Sequence, residues 1–191
     1  KSSNLVNLIN NVSNNIIEFE GNGTLGSVKE PYQINFNTPA VAQIVGGESY
    51  TTLAAAVSAA EDGATIELLS NINEAVNIIS LGKTITIDGK SYDMTAGLSF
   101  GSDNNNLDNG IVTIKNIDFV GTGVSVKELK KVTIQNNTFT NITANNGITV
   151  ICDNLTEEVN VSENIVSNVD SGAGIRIRNP KALNITNNNV E

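Results

Sequence analysis

From about residue 64 onward the chain repeats itself, and the repeat limits what it can fold into. With Ile85, Val112, Val132, Val159 and Leu183 placed in one column, the residues two further on are Ile87, Ile114, Ile134, Val161 and Ile185, all apolar. Seven further on stand Tyr92, Phe119, Phe139, Val166 and Val190. Between these columns come Gly89, Asn116, Asn136, Glu163 and Asn187, then Lys90, Ile117, Asn137, Asn164 and Asn188. Each unit therefore reads as strand, tight turn, strand. A third piece, glycine then apolar, any, apolar, follows as Gly97 to Phe100, Gly123 to Val126, Gly147 to Val150 and Gly174 to Ile177. Successive spacings are 27, 20, 27 and 24 residues, and Ile66 with Leu68 suggests an earlier turn 19 residues before Ile85.

Units of this length cannot bury an apolar face alone and must stack on one another. Alternation sends Val132 and Ile134 inward and Thr133 and Gln135 outward. Equivalent residues of neighbouring units then lie about 4.8 Å apart. The fold class predicted is all-β: a right-handed parallel β-helix, or solenoid, since β crossovers are overwhelmingly right-handed. Aromatic residues are only 4% of the chain and Trp is absent, so the core falls to Ile, Val and Leu, which suit pleated surfaces. Leucine-rich repeats have similar periods, but they need Leu at fixed spacing with an Asn inside the pattern, whereas here Asn marks the turns. Asn tolerates left-handed backbone and can form amide ladders between stacked strands.

Ahead of the repeat, Ser49 to Gly63 reads as a helix, with Leu53, Ala56, Val57 and Ala60 on one face. Thr51 or Thr52 suits its N-cap and Gly63 its end. Such an amphipathic helix beside a solenoid's open end is expected to be an N-terminal cap. The organisation expected is a β-rich segment over 1–40, either an extension of the cap or the tail of a preceding domain, then a hairpin and cap helix over 41–63, and the β-helix over 64–191. In the first segment Leu5 to Val12 suggests a short helix, and Ile16 to Glu20 and Tyr32 to Asn37 suggest strands. The last unit lacks the third strand found in the four before it. The chain is therefore expected to continue past Glu191, and the isolated piece to associate end to end.

Several function classes are excluded by composition. With 20 acidic against 11 basic residues, a net charge of −9 and a pI near 4.4, the surface offers little to nucleic acid or anionic lipid. There is no His to act as base or metal ligand, and Cys152 is alone, so no intrachain disulfide or thiolate cluster can form. No apolar run is long enough for direct membrane insertion. The acidic loop Asp103 to Gly110 invites a calcium reading, yet Leu107 takes a ligand position and the closing Glu is missing. It is read as a solvated loop leaving the coil, and neither a metal nor a cofactor is expected. Asn141-Ile142-Thr143 and Asn154-Leu155-Thr156 fit the N-glycosylation pattern, but so rich an Asn, Ser and Thr content yields such triplets by chance.

The run AQIVGGESYTTLAAAVSAAEDGATIELLSNI resembles the opening of pectate-lyase-like β-helix modules in large bacterial surface proteins, where a hairpin, a helix and a first strand come in that order. TITIDGKSYDM and VTIQNNTFTNI are similar to the generic repeats of that superfamily, and GNGTLGSVKEPYQI resembles another segment of such proteins. The resemblance covers about residues 16–191 and implies an extracellular or cell-surface setting. Lyases of this kind need a basic side chain and usually calcium-holding acids, and glycosidases need a carboxylate pair. Arg176 and Arg178 share the outward face of one strand, but the stacked Thr149, Ile151, Ser125 and Lys127 add no carboxylate. No catalytic residue is assigned. Arg176, Arg178, Asp153 and Asp170 are the ligand-contact candidates, for a forked guanidinium grip on acidic sugars.

Two function classes remain open. One is a non-enzymatic surface module, adhesin-like or a spacer, with glycans or host or cell-envelope components as partners. The outward column of Thr86, Thr113 and Thr133, continued by Asn160 and Asn184, belongs to that reading. The other is a fragment of a polysaccharide lyase or glycoside hydrolase whose catalytic coils lie beyond residue 191.

Overall fold

The alternation of apolar and polar residues becomes strands that each bury every second side chain. The computed structural model describes residues 38–101, 108–143, 146–152 and 156–191. Its first elements are a hairpin of β1 (Ala42–Ile44) and β2 (Ser49–Tyr50), the helix α1 (Leu53–Ala59), and the strands β3 (Ala64–Leu68) and β4 (Val76–Ile78). Then come β5 (Thr84–Asp88), β6 (Asp93–Met94) and β7 (Leu98–Phe100), followed by β8 (Asp108–Lys115), β9 (Asp118–Val120) and β10 (Val124–Lys127). The next two turns are β11 (Leu129–Gln135), β12 (Thr138–Ile142) and β13 (Ile148–Ile151), and β14 (Glu158–Ser162), β15 (Ile165–Val169) and β16 (Ile175–Arg178). β17 (Leu183–Thr186) and β18 (Asn189–Val190) close the sequence.

First, second and third strands of successive turns line up in three parallel sheets, a solenoid of about five turns. The first sheet runs from β3 through β5, β8, β11 and β14 to β17, with β1 and β2 added antiparallel beside β3. The second holds β6, β9, β12, β15 and β18, and the third β4, β7, β10, β13 and β16. The predicted columns are realised: Ile85, Val112, Val132, Val159 and Leu183 are neighbours across the sheet, as are Ile87, Ile114, Ile134, Val161 and Ile185. Val112, Ile114, Val132, Ile134, Val159 and Val161 are all buried, and the rings of Phe119 and Phe139 stack 4.6 Å apart and parallel. The outward Thr86, Thr113, Thr133, Asn160, Asn184 column is also formed, and Asn184 donates to Asn160. In the last turn Leu183, Ile185 and Val190 are 44%, 50% and 50% exposed, where their counterparts one turn earlier are fully covered.

Three local expectations are corrected. Ala64 rather than Ile66 lies beside Ile85, and Ile66 beside Ile87. A shift of two residues keeps the same side chains inward, so alternation alone cannot detect it. Tyr92 is not the counterpart of Phe119; Met94 is, because the turn at Gly89 carries two extra residues with Lys90 and Ser91 in left-handed backbone. The helix is also shorter than Ser49 to Gly63. Ser49 and Tyr50 pair with β1, the Thr52 side chain accepts from the Ala55 N–H, and Ala60 is already extended. Lys83 donates to the carbonyls of Ser58 and Ala60, placing a cation on the helix's negative end. α1 packs against β1 to β4 and gives Leu53, Ala56 and Val57 to the core. The elements expected within 1–37 lie outside the described residues, as do residues 102–107 of the acidic loop and part of the Asn154 triplet.

The turn between the first and second sheets explains the Asn bias. Asn116, Asn136 and Asn187 adopt left-handed backbone there, a conformation Asn tolerates better than most residues, and Glu163 takes it as well. The next residue points inward. Asn137 and Asn164 are buried, and their amides link consecutive turns: Asn137 accepts from the Ile117 N–H, Asn164 from that of Asn137, and Asn188 from that of Asn164. Their NH2 groups donate to backbone carbonyls of the first sheet, so the ladder ties each turn to the strands around it.

Candidate functional site

The outward face of the third sheet carries the candidate site. Because each third strand reads apolar, polar, apolar, its first polar residue stands at the same height in every turn. Asn77, Ser99, Ser125, Thr149 and Arg176 therefore form one column across β4, β7, β10, β13 and β16. Lys127, Ile151 and Arg178 form a second, beside it. The corner leading into these strands is tight. A Cβ on Gly123 would collide with the carbonyls of Asn146 and Gly147, and one on Gly147 would lie 2.8 Å from the Gly174 carbonyl oxygen and 2.9 Å from Val166. Glycine is needed there for space, and backbone packs on backbone.

A groove of about 570 Å³ follows this face, and its lining includes the whole first column together with Lys127 and Asn146. Among the described residues no carboxylate lines it, and the charged lining residues are Lys127 and Arg176. Two hydroxyls in the column are oriented by amides. Ser99 donates to Asn77 Oδ1 at 2.9 Å, leaving its lone pairs facing outward. Thr149 instead accepts from Asn146 Nδ2 at 2.9 Å, which leaves its O–H to donate. Asn146 is held in that orientation because its Oδ1 accepts from the Ala173 N–H at 2.8 Å. The Arg176 side chain is exposed and has no hydrogen bond or ion pair among the described residues.

Of the residues picked from sequence, Arg176 lines the groove and Arg178 stands beside it on the same strand. Asp170 is exposed just after β15; its N–H donates to the Ile142 carbonyl, and it does not line the groove. Asp153 lies outside the described residues. The orienting role of Asn146 was missed, although its place directly before the glycine of a third-strand unit marks it as a corner residue. Among the described residues no group of three or more acidic, Cys or His side chains is placed to hold a metal, and no helix is long and apolar enough to cross a membrane.

The acidic loop resolves in part into structure. Asp108 begins β8, and its carboxylate accepts from the N–H groups of Leu81, Gly82 and Gly110 at 2.6 to 2.7 Å. Partial burial opposes its ionisation, but these donors and the Ser80 hydroxyl outweigh it and hold the carboxyl below its usual range. Such a group stabilises the fold fully above the ordinary aspartate pKa near 4, and the contribution fades as pH falls through the lowered native value. Asp108→Asn is expected to cost about 1–2 kcal/mol at neutral pH, kept small by solvent at a partly exposed site. Chemical denaturation across pH checks this: the gap from wild type should narrow below about pH 4, and a constant gap would contradict the assignment.

Compared with known proteins, the chain matches no protein-family model, no curated protein and no solved structure.

Proposed function

We propose that the chain is a non-enzymatic extracellular or cell-surface module of the pectate-lyase-like kind, adhesin-like or a spacer, whose groove on the third sheet holds carbohydrate. The observation that carries this reading is the unbroken outward column of amide, hydroxyl and guanidinium groups along one groove. Sugars present rows of hydroxyls, and a rigid sheet meets them with donors and acceptors repeated every 4.8 Å or so at little ordering cost. The order of hairpin, helix and first strand supports the pectate-lyase-like likeness.

A glycan array followed by calorimetry, with reducing-end release measured alongside, tests the reading. Binding without release is expected. Replacing Arg176 and Arg178 together by Ala should weaken binding about tenfold or more, the value of one charge-assisted hydrogen bond. Retained affinity in that variant would remove the arginines from the site, and release of reducing ends would make the protein an enzyme.

A further inference from the structure

The groove has a direction. At the β4 and β7 end its residues are neutral, and Ser99, its proton committed to Asn77, offers lone pairs. At β13 and β16 the character reverses. Arg176 brings positive charge, and Thr149, its lone pair taken by Asn146, offers a proton. Thr149 and Arg176 are register neighbours, so an O–H donor and a guanidinium stand side by side about 4.8 Å apart. A carboxylate accepts hydrogen bonds only, and its two oxygens suit such a pair. The acceptor end suits sugar hydroxyls, which can donate.

Resting on the carbohydrate reading above, we propose that the ligand is a glycan that is neutral along most of its length and carries one acidic sugar at the end seated between Thr149 and Arg176. A uniformly anionic chain would also bring carboxylates against the Ser99 lone pairs, and none of the described lining residues on β4 and β7 is a cation.

The test is calorimetry on the full chain with lactose, sialyllactose and trigalacturonate, at low and high salt. Sialyllactose should bind about tenfold or more tightly than lactose, and more tightly than trigalacturonate, with the advantage shrinking in high salt. Arg176→Gln and Thr149→Val should each reduce sialyllactose affinity towards that of lactose. Lys181→Gln, the same loss of charge outside the groove lining, should leave all three unchanged. Equal binding of lactose and sialyllactose, or tightest binding of trigalacturonate, would overturn this proposal while leaving the carbohydrate reading intact. Binding of none of the three would overturn the proposal, and a blank glycan array would overturn the broader reading with it. Thermal melting of each variant separates loss of contact from loss of fold.

Discussion

Ile134→Asp is expected to lower the unfolding free energy by about 4 kcal/mol or more, enough to unfold much of the protein at room temperature if its stability is ordinary. Ile134 is fully buried in β11, with Ile114 on one side and Val161 on the other. An aspartate there loses the transfer energy of the aliphatic side chain and must either bury a charge or take up a proton. Both routes are costly, and the second makes the loss larger as pH rises. Thr133→Asp is the control, one residue away and on the outward face between Thr113 and Asn160; it should cost less than about 1 kcal/mol. Urea unfolding of the two variants measures the difference. Equal midpoints would mean the register is wrong, because a single-residue slip exchanges the two faces of the strand.

That register is legible in the sequence because two independent signals agree on it. Apolar residues recur with period two within each unit, and the left-handed turn residue fixes where each unit bends, so a slip at Val112 or Val132 would also misplace Asn116 or Asn136. Where one signal is absent, the reading fails in a specific way. At Ile66 no Asn turn anchors the unit, and the first turn was displaced by two residues. At Tyr92 the turn is longer, and an aromatic in the right column concealed Met94 as the buried residue. The helix was read too long because Ser49 and Tyr50 pair with β1, a tertiary contact that local pattern does not encode. The candidate site was half legible. Alternation gave the common outward face of Arg176 and Arg178 and their stacked neighbours. The orientation of Thr149 by Asn146 was not, since it depends on the Ala173 N–H, 27 residues away.

The buried amide ladder makes a further strong prediction: Asn164→Ala should cost about 3 kcal/mol or more, well beyond the packing lost from so small a polar side chain. Asn164 Oδ1 accepts from both the backbone N–H and the Nδ2 of Asn137, and its own Nδ2 donates to the Ile134 carbonyl and to Asn188 Oδ1. Removing it strands the Asn137 N–H in a site water does not reach. Restoring volume should not rescue the loss, although Ile117 occupies the equivalent place two turns earlier. Ile117 is tolerated because the equivalent N–H one turn before it, that of Lys90, donates to Asp88 Oδ1 instead. No such substitute serves Asn137, so Asn164→Ile should recover less than about 1 kcal/mol over Ala. Asn164→Asp separates the two halves of the amide. It can still accept from Asn137, but ionised it faces the Ile134 carbonyl and Asn188 Oδ1 with nothing to donate. Its pKa should be raised, so its deficit should be smallest below the ordinary aspartate value near 4 and grow as pH rises. Unfolding measured for the three variants between acid and neutral pH decides the matter. An Ile variant as stable as wild type would show that this position is held by volume and that the ladder's hydrogen bonds contribute nothing net.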